Sequence, residues 1–109
     1  MTFAALRSLG LAAAAAILLH FGTAPAQAEE LKVTIDNFTF TPPELKVKVG
    51  DTVTWTNHDD IPHTVVSAGK FRSKATDTDG TFSFTFTSAG DYKYFCSLHP
   101  HMTGMIKVE

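Results

Sequence analysis

The sequence predicts an all-β protein, a sandwich of short antiparallel strands, and three observations carry that prediction. Apolar and polar residues alternate with period two in run after run beyond residue 30, as half-buried strands require. Gly, Pro, Asn and Asp punctuate these runs at close intervals, which is the chemistry of turns. No stretch beyond residue 28 carries a helical period. Many short strands with one long connection favour two sheets packed face to face.

Leu31, Val33 and Ile35 alternate with Lys32, Thr34 and Asp36, a strand with one buried face. Asn37–Thr41 continues it with Phe38 and Phe40, and Pro42-Pro43 ends pairing because proline donates no N–H. Leu45, Val47 and Val49 alternate with Lys46 and Lys48 up to a turn at Gly50-Asp51. Val53 and Trp55 share one face of Thr52–Asn57, with threonines on the other. Val65 and Val66 form a short strand after His63. Residues 67–80 hold one large apolar side chain, Phe71, among several charges, and read as an irregular surface crossover. Phe82, Phe84 and Phe86 alternate with small polar residues, Ser88-Ala89-Gly90-Asp91 turns the chain, Tyr92–Cys96 follows, and Gly104–Val108 is the final strand. Trp55, Phe82, Phe84, Phe86, Tyr92 and Tyr94 are expected to fill the space between the sheets.

Residues 1–28 stand apart. Arg7, an apolar run from Leu9 to Phe21, and A-P-A-Q-A make a basic n-region, an h-region and a small-residue cleavage pattern, predicting a secretory signal cut after Ala28. The run covers 13 residues, whereas a membrane-spanning helix needs about 20. No Arg-Arg pair precedes it, so nothing indicates the twin-arginine route. The Ala-rich h-region points to a bacterial periplasm, with no membrane attachment once the signal is removed. Residues 29–109 then form one domain. Without Arg7 the balance is 8 basic against 11 acidic side chains, which argues against nucleic acid, whose binding calls for a basic patch. A lone cysteine, Cys96, forms no internal disulfide, so a metal is the obvious staple for so small a domain.

The stretch Cys96–Met102, C-S-L-H-P-H-M, gathers a thiol, two imidazoles and a thioether within seven residues. Soft sulfur with imidazole is the donor set of copper that cycles between Cu(I) and Cu(II). A further ligand is sought in N-H-D-D-I-P-H-T, which offers His58 and His63. Pro62 fixes its own φ and restricts Ile61, giving His63 a rigid lead-in, whereas His58 lies in a polar turn and reads as a solvated histidine. The candidate ligands are therefore His63, Cys96, His99 and a methionine.

D-D-I-P-H-T-V followed by Y-K-Y-F-C-S-L-H-P-H-M resembles the type 1 blue-copper proteins, the cupredoxins, and the C-x-x-H-x-x-M spacing is most similar to the amicyanins among them. The resemblance covers essentially residues 29–109. It implies a Greek-key sandwich of about eight strands, His63, Cys96 and His99 in a trigonal plane, Met102 as the long axial ligand, and one-electron transfer between redox proteins. Two departures accompany it. Thr64 stands where these proteins usually carry Asn, so that residue's hydrogen bonding does not carry over directly, and His101 stands where the amicyanins show an apolar aromatic residue.

Strand phase also favours Met102. Ile106 and Val108 are expected to face the core, which turns Met105 outward. Tyr92, Tyr94 and Cys96 share a face, which sends Phe95 to the other side, either under the crossover or exposed as a partner contact. His101 is expected to face solvent at a docking surface. The function expected is a periplasmic electron shuttle using one type 1 copper ion. It is expected to act as a monomer, with partners such as a periplasmic dehydrogenase, a reductase or a c-type cytochrome. A periplasmic copper carrier or buffer is the alternative, and a structural zinc site ranks below both because zinc has little use for a thioether. No nucleophile–base pair or second copper cluster is visible, so no enzyme is expected.

Overall fold

In the computed structural model, which describes residues 30–109, the alternation becomes nine strands and no helix among the described residues. The predicted signal and its cut after Ala28 lie outside them. The strands are β1 (Glu30–Asp36), β2 (Thr39–Thr41), β3 (Glu44–Val47), β4 (Thr52–Asn57), β5 (Val66–Ser67), β6 (Phe71–Arg72), β7 (Thr81–Thr85), β8 (Gly90–Phe95) and β9 (Thr103–Val108). One sheet has the order β2-β1-β4-β7 and the other β3-β9-β8-β5-β6, an arrangement consistent with a Greek-key sandwich.

The sheets are mixed, which corrects the expectation of purely antiparallel pairing. β1 runs parallel to β4, with Val33 opposite Trp55, and β3 runs parallel to β9, with Leu45 opposite Ile106. Parallel neighbours need a connection that crosses away and returns. Pro42-Pro43 begins that crossing: β2 ends at Thr41 and the next strand, β3, lies in the other sheet. The chain then comes back as β4 beside β1.

A second correction concerns Asn37 and Phe38. They are not strand but a two-residue turn joining β1 to β2, with Asp36 opposite Thr39 and φ values of 52° and 57°. Two consecutive positive φ values mark the type I′ hairpin turn, whose hand matches the twist of the flanking strands. The crossover is also less irregular than its composition suggests. It contains β6, and Phe71 lies half-buried with its ring centroid 5.8 Å from Trp55 and 4.7 Å from Phe84. One apolar anchor suffices to draw this polar segment onto the sandwich.

Within the strands the alternation otherwise holds, whereas Val49, beyond the end of β3, is exposed rather than buried. Val33 and Ile35 of β1, Val53 and Trp55 of β4, Tyr94 of β8, and Ile106 and Val108 of β9 are buried between the sheets with Phe86. Phe82, Phe84 and Tyr92 pack half-buried around them. Gly104 faces Tyr94 across β8 and β9, and a Cβ there would run into the Tyr94 ring. The bare backbone lets the Tyr94 ring approach β9 closely.

Candidate metal centre

Two loops bring the predicted ligands together, and each is held by its own backbone bonding. In the first, buried Asn57 at the end of β4 donates from Nδ2 to the carbonyls of Ile61 and Thr76 at 2.9 Å each, and its Oδ1 accepts from Asp59 N–H at 2.9 Å. The loop is thus wound around one amide. His63 follows, exchanging backbone hydrogen bonds with Thr76 at 3.2 and 2.8 Å, and is completely buried. In the second, His99 N–H donates to Cys96 C=O at 3.2 Å, Met102 N–H to His99 C=O at 2.9 Å, and Cys96 N–H to Met102 C=O at 3.1 Å. Successive turns close the Cys96–Met102 segment on itself.

The result is a compact donor cluster. One ligand atom each from His63, Cys96 and His99 lies within 4.8 Å of the others. Cys96 Sγ is 3.6 Å from His63 Nδ1 and 3.7 Å from His99 Nδ1. Both imidazoles therefore turn Nδ1 toward the sulfur. Cys96 and Met102 are buried, and His99 is half-buried.

Burial alone would push the Cys96 thiol up, but the Thr64 N–H, the two imidazoles and the Leu98 N–H outweigh it and bring the thiol down from 9.0 to about 6. Hydrogen bonds and polarised rings around the sulfur favour the thiolate, the form that binds metal. Thr64 supplies much of this. Its N–H lies 3.4 Å from Cys96 Sγ and its hydroxyl 3.7 Å, and the same hydroxyl accepts from Ser97 N–H at 2.7 Å. The threonine that departs from the family pattern thus reaches both the sulfur and the residue after it.

Two residues that the sequence pattern did not single out frame the imidazoles. Asp59 Oδ2 lies 2.8 Å from His63 Nε2. Burial acts to raise the Asp59 carboxyl, yet the Phe38 N–H, His63 and the Asn37 N–H together hold it below the usual carboxylate range. The Phe38 ring stands edge-on to His63 at 5.4 Å and to His99 at 5.1 Å. Asn37, a residue type that accepts a left-handed conformation more readily than most non-glycine residues, was the signal for a turn there. Nothing in the sequence indicated where that turn would lie.

The other described histidines, His58 and His101, stay apart from the cluster. His58 is half-exposed beside Asp79, Nδ1 to Oδ1 at 3.7 Å, and His101 is exposed. Phe95 does leave the core side of β8, as its phase predicts. It is half-buried and lines an open groove with Pro43, Ala68, Pro100 and Met105, so Met105 also faces outward.

The family described as copper binding proteins, plastocyanin/azurin family, matches residues 27–109. The chain belongs to that family. The protein is 37% identical to amicyanin of Paracoccus denitrificans over 95 residues, 82% of this chain and 72% of that protein. It is 36% identical to amicyanin of Paracoccus versutus over 92 residues, 79% of this chain and 70% of that protein. A structure of the Cu(I) form of a methionine-to-alanine mutant of amicyanin superposes with a TM-score of 0.71 at 37% identity, covering 79% of this chain and 86% of that one. This plastocyanin/azurin-family protein is thus most like an amicyanin, and its cofactor is one type 1 copper ion. The donor set fits the ion. Two imidazole nitrogens and one low-pKa thiol converge without a carboxylate among them, which suits copper rather than a hard cation.

Proposed function

We propose that His63, Cys96 and His99 would hold the copper ion as its strong donors, with the Met102 thioether as a fourth, weaker one. The protein then passes single electrons between redox proteins of the periplasm. The observation that carries this reading is the convergence of two Nδ1 atoms on Cys96 Sγ at 3.6 and 3.7 Å. Bound there, copper supplies a one-electron couple. The chain's own residues do the rest. The bonded turns of Cys96–Met102 and the Asn57-centred loop keep the donors fixed, so little rearrangement accompanies a change of charge. Phe38 shields both imidazoles from one side. His99 is the only half-exposed member of the three, with exposed Leu98 beside it, and is the natural port through which an electron enters or leaves.

Three strong donors and one weak one would leave copper no open position of the kind a catalytic metal site keeps, which supports a carrier rather than an enzyme. Export by the 1–28 signal to the periplasm, monomeric action, and a dehydrogenase, reductase or c-type cytochrome as partner complete the reading. Loading residues 29–109 with Cu(II) tests it. An intense blue charge-transfer band that vanishes in Cys96→Ser is expected, and a colourless or pale complex overturns the type 1 assignment. Transfer of Cu(I) to a second protein in preference to electron exchange with a cytochrome c would favour copper delivery instead.

A further inference from the structure

One carboxylate touches both the ligand loop and the hairpin that covers it. Asp59 Oδ2 meets His63 Nε2 at 2.8 Å, while Asn37 N–H donates to Oδ1 at 2.6 Å and Phe38 N–H to Oδ2 at 2.9 Å. Asp59 is itself fixed, since its N–H donates to Asn57 Oδ1 at 2.9 Å and its carbonyl accepts from the Thr78 hydroxyl at 2.6 Å. A carboxylate only accepts, so the partner it selects on His63 is the Nε2–H tautomer. That leaves Nδ1 facing the cluster, placed to ligate copper or to hydrogen-bond Cys96 Sγ 3.6 Å away. An outer carboxylate on a ligating imidazole fixes the ring and raises its basicity.

The hairpin contact is unusual in its own right. A type I′ turn favours Asn-Gly, yet its second position here is Phe38, at a φ of 57°. That conformation places the Phe38 ring edge-on against His63 and His99. The two N–H groups that would otherwise be free at the turn are both taken by Asp59.

We propose that Asp59 is the positioning residue of the centre, orienting His63 through Nε2 while clamping the Asn37-Phe38 turn that lays an aromatic ring over both imidazoles. This rests on the copper reading of the site. The consequence is that the carboxylate makes His63 a stronger donor and so favours Cu(II) over Cu(I). Removing its charge should raise the reduction potential.

Asp59→Asn, Phe38→Gly and the double variant, each copper-loaded, test the idea. The Gly variant gives the turn its preferred Asn-Gly pair, so the hairpin no longer depends on Asp59 and the double variant keeps the fold even if Asp59→Asn alone does not. Asp59→Asn is expected to shift the Cu(II)/Cu(I) equilibrium about tenfold toward Cu(I), about 59 mV for one electron. The shift should persist in the Phe38→Gly background, and Asp59→Glu should return the potential toward that of the parent. In the copper-free parent, ¹⁵N spectra should show His63 as the Nε2–H tautomer with a slowly exchanging proton, lost in Asp59→Asn. A double variant with the potential of Phe38→Gly alone would mean that Asp59 acts only on the turn, and the proposal falls. An Nδ1–H tautomer in the copper-free parent also overturns it. A parent that binds Cu(II) without the blue band, yet shows the Nε2–H tautomer, would instead overturn the copper reading and leave the Asp59–His63 contact standing.

Discussion

The Thr64 hydroxyl oxygen sits 2.8 Å from the Ser97 hydroxyl and 2.7 Å from the Ser97 backbone nitrogen. It joins the residue after His63 to the residue after Cys96. With both Ser97 groups donating, the Thr64 proton is free to point at Cys96 Sγ, 3.7 Å away. Hydrogen bonds at the cysteine sulfur tune the potential of such centres, because they draw electron density from the thiolate. Thr64→Val, nearly isosteric, removes the hydroxyl and keeps the Thr64 N–H contact. The potential should fall by about 59 mV, a tenfold change. Thermal unfolding should show a loss of about 1–3 kcal/mol for the stranded Ser97 N–H. An unchanged potential would show that the hydroxyl serves Ser97 alone.

Cys96 makes the copper-free protein sensitive to pH. Its thiol is lowered from 9.0 to about 6 in the fold, so between those values the unfolded chain holds a proton that the folded chain has released. Stability from this group is fully present above pH 9 and is lost as the pH falls through about 6. Denaturation of the copper-free protein should therefore give rising stability from pH 6 to 9, a slope that Cys96→Ser lacks. Equal slopes in the two proteins would contradict the environment described for the sulfur.

Gly104 should be intolerant of the smallest substitution. Any Cβ there collides with the Tyr94 ring, which is packed edge-on against Phe40 at 4.7 Å and Trp55 at 5.4 Å. Tyr94 is held from behind and has no room to retreat. Gly104→Ala is expected to cost about 1–3 kcal/mol, the usual range for overpacking a core. Gly69→Ala, at a position with open space but a φ of +74°, is a control for backbone strain without a clash. Urea midpoints of the two variants separate the effects.

Much of this architecture was written in local pattern. The Val53/Trp55, Tyr92/Tyr94/Cys96 and Ile106/Val108 alternations each put the right residues inside, because a period of two leaves a strand only two faces to offer. Met105 turned outward for the same reason, and the Pro62-His63 and C-x-x-H spacings delivered residues that do converge. What the sequence withheld was relations between distant strands. The β1–β4 and β3–β9 pairings are parallel because the chain changes sheets after β2, and no local alternation encodes direction. Phe38 was read as strand because its neighbours alternate, whereas the two Asp59 hydrogen bonds that hold the turn come from more than twenty positions away. Asp59 itself, one of two adjacent aspartates in a polar loop, carried no signal that set it apart.

The position of β9 sets an order of events. It is the last described strand in the sequence, yet it lies between β3 and β8, so β3 emerges from the ribosome long before the neighbour it needs. Cys96, His99 and Met102 emerge just ahead of β9, more than thirty residues behind His63. Until Cys96 emerges, a growing chain therefore offers only one of the three clustered donors, His63. The complete cluster needs both loops, so the choice of metal belongs to wherever the late-emerging loop joins the early one.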